Sequence, residues 1–130
     1  MDSKGTSIKL EQMAYNNMTF RIPDERGYQP DSAPIESDGL MPFDSSLCSD
    51  ISLPDVIINS CNAASIVTLS QDPGRFLCNY IYYRSLSYSA ATSKSKNAVF
   101  IHIPPFEAIP MTTQYPVIKE LLRTIIQLSL

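Results

Sequence analysis

The second half of the chain alternates between short apolar runs and longer amphipathic stretches. Residues 64–70 (ASIVTLS) and 98–103 (AVFIHI) are rich in β-branched and apolar side chains, a composition typical of buried strands. In chain order, the pattern predicts a helix, a strand, a helix, a strand and a helix over residues 52–62, 64–70, 72–86, 98–103 and 113–130. This order favours an α/β fold in which helices cover both faces of a mostly parallel sheet.

The first half of the chain lacks such regularity. We expect a ragged N-terminus over residues 1–9. We expect a long irregular segment over residues 15–54, because five prolines interrupt every short apolar pattern there. A loop of this length in a compact domain is either functional or disordered. The 130 residues suit a single domain, with a core of useful size and no room for a second substantial one.

Acidic and basic residues are unevenly distributed along the chain, and their pattern excludes some classes of binding partner. The net charge is −3, but residues 1–55 carry ten acidic and four basic groups, whereas residues 56–130 carry three acidic and six basic groups. Because no basic stripe is interleaved with aromatic residues, we expect no nucleic-acid binding. No apolar run approaches the length of a membrane span, and the polar N-terminus lacks the apolar stretch of a signal peptide. We therefore expect a protein without a membrane partner.

The number and spacing of the cysteines indicate the redox state of the protein's compartment and whether the protein can bind a metal ion. The cysteines are Cys48, Cys61 and Cys78, an odd number that cannot pair completely within one chain. Without a secretory signal, this favours a reducing compartment, and we expect a cytoplasmic location. The cysteines contain no C-x-x-C spacing and His102 is the only histidine, so we expect no metal site and no cofactor.

Two residues could form an activated thiol. Cys78 falls in the opening turns of a predicted helix that follows a strand, where the partial positive charge of the helix N-terminus favours the thiolate. His102 ends the next predicted strand, at the position where α/β sheets collect ligands. A nucleophile at a helix start beside a base at a strand end suits covalent catalysis. A buried structural cysteine and a core histidine are the alternative interpretations, and Glu11 is a candidate to orient the imidazole.

Three segments resemble those of the pyroglutamyl-peptidase I family of cysteine peptidases. Residues 70–86 (SQDPGRFLCNYIYYRSL) resemble its nucleophile segment, and residues 100–104 (FIHIP) resemble its histidine segment. Residues 10–16 (LEQMAYN) and 21–30 (RIPDERGYQP) resemble its glutamate segment and the loop beyond it. The similarity extends from about Leu10 to the end of the chain.

The resemblance implies a role for each matched residue. Cys78 would be the nucleophile, His102 the general base and acid, and Glu11 the group that orients His102. Phe76 matches an aromatic residue that contacts the substrate ring. The implied activity is the removal of N-terminal pyroglutamyl residues from peptides, with pyroglutamyl peptides as partners.

The resemblance also implies a missing segment. Members of the family have, before the glutamate segment, a central first strand, a Gly/Phe-rich loop that clamps the pyroglutamyl ring, and the strand that leads to the glutamate. The resemblance implies that all three are missing here, because Met1 falls just before Glu11. The implied fold is therefore an N-terminally truncated three-layer α/β/α sandwich, with self-association through an exposed sheet edge as a consequence. Two alternatives to an active peptidase stay open at this point: a truncated, catalytically inactive relative, and an interaction module that uses the acidic loop.

Overall fold

The chain forms two compact units. A computed structural model describes residues 2–60 and 65–130. The first unit contains the described residues within Met1–Gln12, Ile51–Ser70 and Val99–Leu130, and the second contains Met13–Asp50 and Gln71–Ala98.

Helices and strands occur in both units. The described residues contain, in chain order, β1 (Ile8–Glu11), β2 (Met13–Tyr15), β3 (Ser46–Cys48), α1 (Leu53–Ile58), β4 (Val67–Ser70), α2 (Leu77–Ser93), β5 (Phe100–His102) and α3 (Met111–Ser129). The two strands and three helices predicted from the sequence are all present, with shifted bounds. Of the predicted strand 64–70, residue 64 lies outside the described residues, as do Cys61 and the end of the predicted first helix.

The first unit is built on a mixed sheet with the order β4-β1-β5. β1 pairs with β4 in parallel, with Leu10 opposite Leu69, and with β5 in antiparallel, with Leu10 opposite Ile101. The expected α/β class is confirmed, and one parallel and one antiparallel pairing make up this sheet.

The core of the first unit lies on one face of β1. Side chains alternate between the two faces of a strand, so Ile8 and Leu10 point to the same face, and both are fully buried. α1 and α3 pack against this face with the buried residues Leu53, Val56, Val117 and Leu121. The opposite face of β1 carries the charged side chains of Lys9 and Glu11, so the ionisable groups of this strand all lie on that face.

Strand β1 was not predicted from the sequence. The pattern Ile8-Lys9-Leu10-Glu11 alternates correctly for a strand, but four residues are too few for periodicity alone to identify one. Its identity comes from pairing on both sides, with β4 and with β5. β1 leads directly into Glu11, so the expectation that the strand before the glutamate is missing is wrong. β4 and β5 both pair with this strand.

The second unit packs α2 against the antiparallel pair β2 and β3. The long segment between these strands is organised by Asn16, which is fully buried. Its Nδ2 donates to the carbonyl oxygens of Glu36, Met41 and Pro42, and its Oδ1 accepts from Glu36 N. One buried amide thus fixes a loop that is rich in proline and has little secondary structure of its own.

Helix α2 begins and ends later than predicted. Asp72 does not cap the helix, because its Oδ1 accepts from Gly74 N, and Gly74 then adopts a φ of 77° that a helix does not allow. The helix begins at Leu77 and continues through the serine-rich stretch to Ser93, beyond the predicted end at about residue 86. Hydroxyl groups such as those of Thr92 and Ser93 donate back to carbonyls one turn earlier, so this polar stretch remains helical.

Candidate active site

In the first unit, Glu11 and His102 form a buried hydrogen-bonded pair. Both residues end strands, and Lys9 lies opposite His102 while Glu11 lies opposite Phe100 in the antiparallel register. The side chains of Glu11 and His102 are therefore diagonal neighbours on one face of the sheet. His102 Nδ1 donates to Glu11 Oε1 at 2.7 Å, and the exposed fractions of the two residues are 7% and 1%. With Nδ1 as the donor, Nε2 is the nitrogen that can accept a proton.

The surroundings of His102 restrain the ring and the chain that follows it. The Phe100 ring makes an edge contact with the imidazole at a centroid distance of 4.9 Å. Two residues beyond His102, the carbonyl of Pro104 accepts from Nε2 of the buried Gln114, which also donates to Ile109 O. The Phe100 ring thus contacts the imidazole itself, and Gln114 of α3 holds the backbone that follows the strand.

An ion pair lies on the same face of the first unit. Lys9 Nζ contacts Asp2 Oδ2 at 2.7 Å. The hydrogen bond from Lys9 lowers the pKa of the Asp2 carboxyl, and the proximity of His102 contributes a smaller part in the same direction. The Asp2 carboxyl group therefore lies within electrostatic range of the imidazole.

In the second unit, Cys78 is the second residue of α2 and is partly exposed. The first backbone N–H groups of a helix have no acceptor within the helix, and no side chain caps this one. Such a terminus stabilises negative charge, on a thiolate or on an oxygen that develops charge during a reaction. The Cys78 position therefore combines a nucleophilic atom with potential oxyanion donors.

Arg75, which precedes the helix, is engaged by its own loop. Its guanidinium group lies over the Tyr15 ring at 3.8 Å from the centroid. It also forms ion pairs with Asp72 at 2.8 Å and with Asp44 at 3.3 Å. Two carboxylates thus offset this charge, so Arg75 stabilises the turn before the helix.

Phe76 belongs to an aromatic cluster at the start of α2. Phe20 makes edge contacts with Phe76, Tyr80 and Tyr28, the nearest at a centroid distance of 5.2 Å to Phe76. The guanidinium group of Arg21 lies 5.1 Å from the centre of the Phe76 ring. The start of α2 therefore combines a group of aromatic rings with a nearby cation.

The structure thus brings Glu11 and His102 together in the first unit and places Cys78 and Phe76 within three residues of each other in the second.

Across residues 2–60 and 65–130, no group of three or more His, Cys, Asp or Glu side chains is arranged to hold a metal ion. In the same part of the chain, no helix combines the length and the apolar character needed to cross a membrane.

Comparison with known sequences adds an independent finding. The sequence profile of the pyroglutamyl peptidase family matches residues 3–119. A pyrrolidone-carboxylate peptidase of Thermococcus litoralis is 32% identical over 99 residues, which cover 76% of this chain and 43% of that protein. The corresponding protein of Bacillus cytotoxicus is 32% identical over 97 residues and is covered to the same extent, 43%. The chain therefore spans less than half the length of these relatives.

Solved structures show the same similarity at the level of the fold. The pyrrolidone carboxyl peptidase from Thermococcus litoralis superposes with a TM-score of 0.82 at 22% identity, over 98% of this chain and 63% of that one. A mutant of the Pyrococcus furiosus enzyme gives a TM-score of 0.81 over 100% of this chain and 67% of its own. Almost every residue of the chain thus has a counterpart in this fold.

Proposed function

The chain belongs to the pyroglutamyl peptidase family, and we propose that it is a cysteine peptidase that removes N-terminal pyroglutamyl residues from peptides. The observation that carries the proposal is the buried hydrogen bond between Glu11 and His102. A buried carboxylate costs free energy unless it is paired and hydrogen-bonded, and the partner here is an imidazole whose orientation the hydrogen bond fixes, as in a nucleophile–base–carboxylate triad.

In the proposed reaction, Glu11 orients the imidazole and His102 moves the proton. The Nδ1–H donation to Glu11 fixes the tautomer, which leaves Nε2 as the base. Nε2 takes the proton of the Cys78 thiol, and the thiolate sulfur attacks the carbonyl carbon of the pyroglutamyl residue. The C–N bond of the scissile amide then breaks, and the imidazolium gives its proton to the departing amine.

The acyl group leaves in a second step. A water molecule gives one proton to Nε2 and adds its oxygen to the thioester carbonyl. The C–S bond breaks, free pyroglutamate is released, and the sulfur regains its proton from the imidazolium. Backbone N–H groups at the start of α2 would stabilise the negative oxygen that forms in both steps. Phe76 would contact the pyroglutamyl ring through its apolar face.

The remaining parts of the proposal concern partners and location. Pyroglutamyl peptides are the proposed substrates, because the ring of a pyroglutamyl residue is planar, small and uncharged, which suits the aromatic cluster around Phe76. A cytoplasmic location is part of the same proposal, since the reducing cytoplasm would keep the Cys78 thiol free of disulfides.

The proposal is tested with the purified 130-residue chain and a pyroglutamyl amide of a fluorescent amine. We expect release of the amine together with an equal amount of pyroglutamate. The prolyl amide, which has the same ring without the lactam carbonyl, should not be cleaved.

Substitutions then assign the reaction to the proposed groups. Cys78→Ala and His102→Ala should each remove most of the rate, and the double substitution should cost little more, because nucleophile and base act as a unit. Cys48→Ala is the matched control, since Cys48 is an exposed thiol on β3, and it should retain the rate of the parent. Absence of release by the parent chain, or equal release by Cys78→Ala, would overturn the proposal.

A further inference from the structure

We propose that Asn79 is a positioning residue for Cys78, whose buried side-chain amide locks the first turn of α2 onto residues 15–17. The inference rests on the proposed function, because it takes Cys78 as the nucleophile. Asn79 follows Cys78 directly in the chain and is fully buried.

The Asn79 amide uses both of its ends on the same stretch of backbone. Its Oδ1 accepts from Tyr15 N at 2.8 Å, and its Nδ2 donates to Tyr15 O at 2.9 Å and to Asn17 O at 3.0 Å. A side chain that must accept from an N–H and donate to two carbonyls at once has to be an amide. Carboxylates lack the donor, and hydroxyl groups have a single proton.

Asn79 bonds to strand β2 on the side that does not face its partner strand β3. Tyr15 is the last residue of β2 and lies opposite Ser46 of β3. The amide of Asn79 engages the N–H and C=O of Tyr15 in the manner of a neighbouring strand, so one side chain replaces a third strand at this point. Loss of this amide would remove three hydrogen bonds from the partly buried backbone of Tyr15 and Asn17.

Other contacts hold the loop before α2 to the same stretch. Tyr15 donates its hydroxyl proton to Gln71 O at 2.8 Å, and Thr19 N donates to Arg75 O at 2.8 Å. The guanidinium group of Arg75 lies over the Tyr15 ring. These contacts reach residues 71–75, whereas the Asn79 bonds reach into α2 itself, one residue from the proposed nucleophile.

The geometry has a direct consequence for the chemistry. The direction in which Cys78 Sγ points depends on the orientation of the first helical turn, and no side chain caps this helix. The Asn79 amide therefore restrains this turn by bonding it to the backbone of residues 15–17. A displacement of a reacting group by about 1 Å can reduce a rate by about 10²-fold.

The test compares Asn79→Ala with Asn16→Ala. Asn16 is an equally buried amide of the same unit, but its bonds reach residues 36–42 and not α2. Each variant is assayed well below its melting temperature, and kcat and KM for the pyroglutamyl amide are measured per folded molecule. The second-order rate constant for alkylation of Cys78 by iodoacetamide is measured from pH 5 to pH 9, with Cys48 as the internal reference.

We expect Asn79→Ala to lower kcat by about 10²-fold, with KM changed by less than about threefold. Alkylation of Cys78 should change in rate and in pH profile, whereas that of Cys48 should not. Asn16→Ala should lower thermal stability and leave the kcat of folded molecules within about threefold of the parent. If Asn79→Ala does not fold, Asn79→Asp replaces it, since this isostere keeps the acceptor for Tyr15 N and loses both donations at neutral pH.

The outcomes separate this inference from the proposed function. If the parent chain cleaves no pyroglutamyl amide, the proposed function fails, and the alkylation profiles of the two variants still decide the role of Asn79. If folded Asn79→Ala keeps the kcat and the Cys78 alkylation profile of the parent, Asn79 does not position the nucleophile. An equal loss of kcat in Asn16→Ala would also overturn the inference, because any buried amide of the unit would then have the same effect.

Discussion

Glu11 and His102 are separated by 91 residues in the chain, yet His102 Nδ1 and Glu11 Oε1 lie 2.7 Å apart. The pairing of β1 with β5 creates this contact, because the antiparallel register sets the two side chains diagonally on the same face. The hydrogen bond is buried, so water competes with it little and the ring has a fixed orientation.

The first prediction concerns the tautomer of His102. We expect the neutral ring to carry its proton on Nδ1, because the Glu11 carboxylate can only accept. His102 is the only histidine of the chain, so ¹⁵N-histidine NMR gives its ring signals without further assignment. Signals of the Nε2-protonated form in the folded parent chain would contradict the orientation described above.

The second prediction concerns Glu11→Gln. A glutamine keeps the size of the side chain, but its amide can either accept from Nδ1–H or donate to a bare Nδ1, so part of the population should adopt the unproductive tautomer with the proton on Nε2. We expect kcat to fall with little change in KM, and to fall less than in Cys78→Ala, since Glu11 orients and does not react. Steady-state kinetics of the parent, Glu11→Gln and Cys78→Ala measures the two losses in kcat. A larger loss in Glu11→Gln than in Cys78→Ala would contradict the prediction.

The third prediction concerns the relative reactivity of the thiols. Cys48 is exposed and Cys78 is only partly exposed, so accessibility alone would make Cys48 react first. The helix N-terminus favours the thiolate of Cys78, and we therefore expect Cys78 to be alkylated first near neutral pH. Limited iodoacetamide labelling followed by peptide mass spectrometry measures both sites and also Cys61, which lies outside the described residues. Labelling in denaturant is the control, and there the preference should vanish.

The fourth prediction concerns Tyr83. Burial, and to a lesser degree the carboxylates of Glu36 and Asp38, raises the pKa of the Tyr83 phenol to about 12. The unfolded phenol titrates near pH 10, so Tyr83 contributes stability that is fully present below about pH 10 and is lost as the pH rises towards 12. Urea unfolding should therefore show a steeper alkaline loss of stability in the parent than in Tyr83→Phe.

Tyr83→Phe has a second expected effect at neutral pH. Within the described residues, the buried Tyr83 hydroxyl has no hydrogen-bond partner, so its removal should leave the free energy of unfolding unchanged or slightly increased. Tyr88→Phe, at a position that is 72% exposed on the same helix, is the control and should behave as the parent at every pH. A clear loss of stability in Tyr83→Phe at pH 7 would mean that the hydroxyl does have a partner.

The sequence predicted the elements whose pattern is long and strongly periodic. Val117 and Leu121 repeat at the spacing of one helical face, and α3 buries both. The beginning of α2 was misplaced because Asp72 and Pro73 resemble a helix start, whereas the structure uses Asp72 to close a turn at Gly74. Local chemistry allows both outcomes, and packing of the following residues decides between them.

The candidate site divides in the same way. Cys78 and His102 could be singled out because they lie at the ends of predicted elements, and the structure places them there. Asn79 could not, because its partners lie 62 and 64 residues away and nothing in its neighbourhood marks it as buried. No local pattern distinguishes Glu11 from the other acidic residues, because its role depends on the pairing of β1 with β5, which brings it to His102.

The last prediction concerns self-association through β4. β4 pairs with β1 and stands at one end of the strand order β4-β1-β5. Its sequence, Val67-Thr68-Leu69-Ser70, has neither a charge nor a proline, the usual protections of an exposed edge, and Leu69 is 38% exposed. We therefore expect the parent to associate reversibly, with a sedimentation coefficient that rises with protein concentration.

Leu69→Lys should abolish this association, because it introduces a charge into the terminal strand of the sheet. Leu122→Lys is the matched control, since Leu122 is 48% exposed and lies on the helix α3, not on a strand. Sedimentation velocity over a hundredfold range of concentration distinguishes the two variants. A parent chain that stays monomeric throughout, or an equal effect of both substitutions, would show that β4 is not an association edge, and association sensitive to Leu122→Lys alone would assign it to α3.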